Sequence, residues 1–322
     1  MVDVTIIMPF LNEGREPLNT IDSILKTTNH RNYEFILVND DPNDPEFIDE
    51  LPNYKDKIKI KLIKNPYRFG VGGSRNVGIS NAKTPYVLIM DAHMRFTDNN
   101  WFDTMLHYAK QEDNVIFSAL TSGVDDNDNL KNNYGYGCDI LFKNKGDYEK
   151  PDDSILSPKW MKKNDSEIPY EVPCVMGACY MINRDWINHI RQFKGLKFWG
   201  SGEPCISLKT WLMGGKCKMI PEAKVGHIYR KGTLPYILYN WYKFYNKTYL
   251  IYTLFPEDMV EPALKELSSG KHKHEYNNAL VEFLKNKEQI DKDREEYQSL
   301  LKYDIRWYIK KFNYESIYDE KN

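Results

Sequence analysis

Short apolar runs alternate with helically spaced apolar positions through the first hundred residues. VTIIMPF (4–10), YEFILVND (33–40) and YVLIMD (86–91) predict buried strands, while KIKIKLI (57–63) alternates strictly and predicts a strand with one solvated face. Between them, EPLNTIDSILKTT places Leu18, Ile21, Ile24 and Leu25 on one helical face, and VGGSRNVGISNA predicts a helix entered through glycines. Strands interleaved with helices imply an α/β fold with a mostly parallel sheet. Ligands of such sheets bind beyond the carboxyl ends of the strands. Polar residues gather at those ends here: Asn12 and Glu13, Asn39 to Asp41, then Asp91 and His93.

Residues 125–171 turn polar and rich in Asn, Asp, Lys and Gly, which predicts a long excursion of loops and short strands over the sheet. EVPCVMGACYMINRDW predicts a strand with Gly177 and Ala178 at its centre. KFWGSGEPCISLKTWLMGG predicts a Gly-rich loop entering a helix, and CKMIPEAKVGHIYRK two short strands. Beyond Lys231, LPYILYNWYKFYNKTYLIYTLF is aromatic and helical in pattern, and EYNNALVEFLKNKEQIDKDREEYQSLL predicts one amphipathic charged helix. The expected organisation is a catalytic unit over 1–231 with a helical extension over 232–322 packed on it.

Composition narrows the function classes. A net charge of −2 provides no global field for nucleic acid or an anionic membrane. Five cysteines without CxxC spacing suit buried free thiols in a reducing compartment. The start, MVDVTIIMPF, reads as a strand rather than a signal peptide, and no apolar run approaches the ~20 residues that span a bilayer. The expectation is a soluble cytoplasmic protein with no membrane span.

Candidate chemistry centres on YVLIMDAHMRF, where a buried-strand pattern stops at Asp91 and His93. At i and i+2 of an extended chain, these side chains point to the same side. That pair suits a metal, a proton-transfer couple, or simply the capping of a turn.

With TIIMPFLNE, ILVNDDPND, GGSRNVGISNAKTPYVLIMDAH, VMGACYMINRDW, FWGSGEP, SLKTWLMGGKCKMIPEAKVGHIYRK and IRWYIKKF in order along nearly the whole chain, the sequence resembles a GT-A glycosyltransferase of the family 2 type. It is most similar to the catalytic domain of the polypeptide N-acetylgalactosaminyltransferases. The resemblance implies a GT-A fold and transfer of a hexose or N-acetylhexosamine from a UDP-sugar to an acceptor hydroxyl. It implies Asp91, His93 and His227 as ligands of Mn2+ or Mg2+ on the donor diphosphate. It also sets Pro9 and Phe10 beside the uracil, Asp40 or Asp41 on the base or ribose, and Arg75 on the nucleotide-sugar. Arg230 would contact the diphosphate, Trp199 would wall the sugar or acceptor site, and Glu203 would face the acceptor.

At Glu203 the chain departs from the pattern. The family reads W-G-G-E-N, whereas WGSGEP puts the glutamate four residues after Trp199. Overall resemblance argues for retention of anomeric configuration; the local register matches an inverting enzyme's general base. The acceptor stays open among a glycan, a protein and a modified nucleic-acid base. For the last of these, KHKH and RWYIKKF offer basic stretches with nearby aromatics.

Overall fold

The computed structural model describes residues 2–28, 32–41, 43, 48–146, 150–229 and 237–318. Parallel strands β1 (Val4–Phe10), β2 (Tyr33–Asn39), β3 (Ile60–Lys64) and β4 (Tyr86–Met90) form half of a nine-stranded sheet. Its other half comprises β5 (Met94–Arg95), β6 (Val115–Gly123), β9 (Tyr170–Glu171), β10 (Cys179–Asn183) and β11 (Lys216–His227). The order is β3-β2-β1-β4-β10-β6-β11-β5, with β9 against β11. Apart from the sheet, β7 (Cys138–Ile140) and β8 (Pro158–Trp160) make a small antiparallel ribbon within the 125–171 excursion. Strictly alternating KIKIKLI yields the edge strand β3, half exposed as its pattern requires, whereas β2 is buried throughout.

Helices α1 (Glu16–Thr27) and α3 (Trp101–Ala109) cover one face of the sheet, together with the core around Leu18, Ile21, Ile24, Trp101 and Phe102. The opposite face carries α2 (Gly70–Asn81), α4 (Arg184–His189) and α5 (Gly202–Leu212). Helices α6 (Trp241–Leu254), α7 (Glu257–Ser268), α8 (Lys273–Lys285), α9 (Lys287–Leu300) and α10 (Ile305–Lys311) follow. Leu250, Phe283, Tyr297 and Tyr308 from these helices join the same buried cluster as Ile7, Ile36 and Ile89 of the sheet. From the aromatic stretch, Phe244, Tyr245, Tyr249 and Phe255 pack as core, while Tyr239 stays exposed.

Three expected elements differ. Gly177 and Ala178 precede β10 instead of lying at its centre; Ala178 adopts φ +88°, a turn that ends pairing. The two short strands expected over 217–231 are one strand, β11, whose register against β6 shifts between Ile220 and Lys224 around Pro221. Proline has no N–H for the ladder, so the strand bulges there and then resumes toward His227. The single charged helix expected over 275–301 breaks at Asn286, whose side chain donates to the Glu282 carbonyl (2.7 Å). That break lets Phe283 and Tyr297 both reach the core.

The sheet order sets the site. Strand β1 lies between β2 and β4, and Phe10 is in register with Asn39, itself opposite Lys64. The polar turns after these parallel strands thus open on one edge, where such folds bind ligands.

Candidate active site

Strand pairing assembles a carboxylate and two imidazoles from distant positions. Asp91 follows β4 directly, and its amide donates to the Ala178 carbonyl (2.9 Å). His227 ends β11 opposite Met94 of β5, and the Ile228 amide donates to His93 O (3.0 Å). Ligand atoms of Asp91, His93 and His227 consequently lie within 4.8 Å of one another. His227 Nε2 is 3.3 Å from Asp91 Oδ2, and the two imidazole rings are 4.7 Å apart. Burial alone would raise the Asp91 pKa, but the His227 hydrogen bond and the nearby charges of His227, Arg75 and His93 hold it well below the usual range. His227 Nδ1 is buried without a hydrogen-bond partner among the described residues. One oxygen and two nitrogen donors, with the cavity beside them, fit a divalent cation of the Mn2+ or Mg2+ class with coordination positions to spare.

Beside this group Arg75 is 4% exposed in the interior of α2. Its Nη1 donates to Glu203 Oε1 (2.9 Å) and its Nη2, at 3.5 Å, to Asp91 Oδ1. Burial would depress the guanidinium pKa, yet the flanking Tyr180, Glu203 and Asp91 drive it upward instead. Arg75, expected to meet the nucleotide-sugar, thus also ties Asp91 to Glu203, the residue expected to face the acceptor. Glu203 occupies the first turn of α5, entered through Ser201 at φ +60°. It reaches the cavity despite the shifted spacing after Trp199: a Cβ on Gly177 would sit 3.2 Å from Glu203 Oε1.

A cavity of about 770 Å³ joins these groups. Pro9, Phe10, Asp40, Arg75, Asp91, His93, Trp199, Glu203 and His227 all line it, and Asp41 does not. Arg230 lies outside the described residues. Both aspartates of the second strand end are engaged by the protein itself. Asp40 accepts from the Phe69 and Gly70 amides, Asn65 and Ser74, at 2.8–2.9 Å, and so caps α2 from a neighbouring strand. Asp41 Oδ1 accepts from the Asn43 amide in an Asx-turn. Asp40 thus combines a place on the cavity lining with local structural bonding, while Asp41 is used in the turn. Gly70 is required at that cap, since it has φ +77° and a Cβ would lie 2.0 Å from Phe198 Cα.

The cavity lining also contains residues that sequence reasoning did not single out. Trp160 of β8, Tyr229, Asp152, Lys243 and Lys247 all face the cavity. Lys243 pairs with Asp152 (2.8 Å) and lies 4.7 Å over the Trp199 ring. Lys247 is buried and donates to Pro151 O, Ser154 Oγ and Ser157 Oγ at 2.6–2.9 Å; burial pushes its pKa down to about 7. These lysines fasten the excursion to α6. Their only sequence signal was the aromatic helix on which they sit at i and i+4. By contrast, RWYIKKF is used in packing: Arg306 pairs with Asp258 and Asp304, while Lys311 pairs with Glu171 and covers the Trp211 ring.

Among known proteins, the chain is 29% identical over 245 residues to a putative polypeptide N-acetylgalactosaminyltransferase 13 of Drosophila melanogaster, covering 71% of this chain and 42% of that protein. It is 28% identical over 233 residues to mouse polypeptide N-acetylgalactosaminyltransferase 10, covering 71% and 38%. The chain thus spans about two-fifths of the length of these relatives. In structure it resembles GalNAc-T7, solved with UDP, GalNAc and Mn2+, at a TM-score of 0.70, 19% identity and coverage of 97% and 57%. It also resembles S. aureus TarS 1–349 in complex with UDP-GlcNAc, at a TM-score of 0.57, 12% identity and coverage of 92% and 90%. These likenesses establish the GT-A-like fold. The profile of glycosyl transferase family 2 matches residues 5–191, more than half of the 322, and the chain belongs to that family.

Proposed function

We propose that this chain is the catalytic unit of a metal-dependent glycosyltransferase moving a hexose or N-acetylhexosamine from a UDP-sugar to an acceptor hydroxyl. The observation that carries this reading is the convergence of Asp91, His93 and His227 beside the Arg75–Glu203 pair, at the strand ends where an α/β sheet binds nucleotides. UDP with Mn2+ in the GalNAc-T7 neighbour and UDP-GlcNAc in the TarS neighbour support a donor of this class. Asp91, His93 and His227 would hold Mn2+ or Mg2+, which supplies positive charge to the diphosphate as it leaves.

The remaining roles belong to the protein's own side chains. Pro9 and Phe10 offer apolar surface to the base. Arg75 fixes the separation of Asp91 and Glu203, and its buried charge favours an anionic donor. Overall resemblance favours retention, with Glu203, anchored to Arg75 through Oε1, orienting the acceptor hydroxyl. We place the protein in the cytoplasm, supported by five cysteines that are all buried and free; subcellular fractionation finding it outside the cytosol would refute this placement. The acceptor class is left to a glycan, a protein or a modified base.

The test is incubation with UDP-glucose, UDP-galactose and their N-acetylamino counterparts plus Mn2+. UDP release should stop with EDTA and return with added Mn2+. Folded protein that releases UDP from none of these donors overturns the reading. Proton NMR of the product's anomeric signal decides retention, and an inverted product assigns Glu203 as base.

A further inference from the structure

We propose that Glu13 is a positioning residue that presets His93 for the metal. The inference rests on the metal-site reading above and adds a residue to which that reading gives no role. Glu13 lies in the turn after β1, where Asn12 (φ +52°) and Gly14 (φ +56°) reverse the chain, and its side chain is only 9% exposed. Its Oε2 is 3.1 Å from His93 Nδ1. A carboxylate can only accept, so in this pair Nδ1 carries the proton, and in the neutral imidazole Nε2 is then the nitrogen that can ligate a cation.

The backbone around His93 is held independently. Thr20 Oγ1 donates to Ala92 O (2.8 Å) and accepts from the Met94 amide (2.9 Å). His93 O accepts from the Ile228 amide. With both neighbours pinned by the backbone, the Glu13 bond adds a restraint on the rotation and tautomer of the His93 ring. His227 differs: among the described residues its Nδ1 has no hydrogen-bond partner, and its ring is held by Asp91 and the Tyr229 ring. Of the two imidazoles, His93 is the one prepared before metal arrives. Carboxylates holding ligating histidines in this way raise metal affinity by about 10–100-fold.

The experiment titrates Mn2+ into full-length protein with UDP present, reading free Mn2+ by EPR against a protein-free control. Glu13→Gln keeps the shape and a weaker acceptor, and should lose about 10-fold in affinity; Glu13→Ala should lose up to ~100-fold. Glu16→Gln, in the same turn but paired with Arg95, should bind like wild type. In metal-free protein, long-range 1H–15N spectra should show His93 with a protonated Nδ1, assigned by its loss in His93→Ala. In Glu13→Ala that signal should become a tautomer mixture, a change that a merely structural role would not produce. Equal Mn2+ affinity in wild type and Glu13→Gln, with the His93 tautomer unchanged in Glu13→Ala, overturns the inference alone. No Mn2+ binding by wild type overturns the metal reading and this inference with it. Should Glu13→Ala fail to fold, the isosteric Glu13→Gln titration still decides.

Discussion

The two walls of the cavity are built on opposite principles. On one wall, charged groups are buried or half-buried and held by the protein itself: Asp40 by four donors, Asp91 by His227 and Arg75, Glu203 by Arg75. On the second wall, Trp160 and Trp199 stay 59% and 38% exposed. Burying a charge is costly unless it is paired, so the first wall holds its geometry only because each group supports the next. Exposed rings carry no such burial cost and leave apolar surface open to the cavity. One wall is held by charge pairing; the other presents rings to solvent.

The strongest attack on this comparison strikes the first wall. Asp91→Asn keeps the side chain's shape but removes a metal-group charge and an Arg75 contact. It should lower metal-dependent UDP release by about 10²–10³-fold, the range for losing one electrostatic stabiliser. Release retained to within a few-fold of wild type would detach Asp91 from the chemistry. Glu203→Gln is the next step down. It should cut kcat by about 10²-fold through a misplaced acceptor while donor KM changes little. A large rise in donor KM instead would move Glu203 to the nucleotide side.

The same contrast explains what could be read from the sequence. Elements β1, α1, β2, α2 and β4 follow from local periodicity, and local periodicity needs no partner to be visible. Asp91, His93, His227 and Glu203 were legible through the motifs that contain them, even with an extra residue between Trp199 and Glu203. Polar bonding between distant segments was not. Asp40 caps a helix 30 positions further on, and Glu13 meets His93 across 80. Nothing in the spacing of either residue announces its partner, because sheet topology creates the meeting. The bulge at Pro221 and the break at Asn286 escaped for a related reason. Each sits inside a pattern that reads as continuous, and tertiary packing decides where it bends.

Asp40 tests whether the first wall is overdetermined. Asp40→Ala removes acceptors from two helix-start amides, Asn65 and Ser74 together, and should cost about 1–3 kcal/mol of stability. The urea midpoint should fall without a change in slope. A midpoint that does not move would show water replacing the carboxylate, and the wall would be less dependent on its own bonds than the geometry implies.

The smallest effect belongs to the second wall. Trp160 is braced at one edge, where a Cβ on Gly135 would meet both its ring (2.5 Å) and Met176 Sδ (2.2 Å). The ring nonetheless leaves most of its surface to solvent. Trp160→Ala removes a stacking surface of about 0.5–1.5 kcal/mol, which raises the KM of a productive acceptor by roughly 2–10-fold. UDP release to water, which needs no acceptor, should stay within about 2-fold of wild type, since no charged group of the first wall depends on this ring. Both rates are measured in the same UDP-release assay, with and without acceptor. Hydrolysis that collapsed along with transfer would put Trp160 on the donor, and the division between a wall for chemistry and a wall for recognition would fail at that residue.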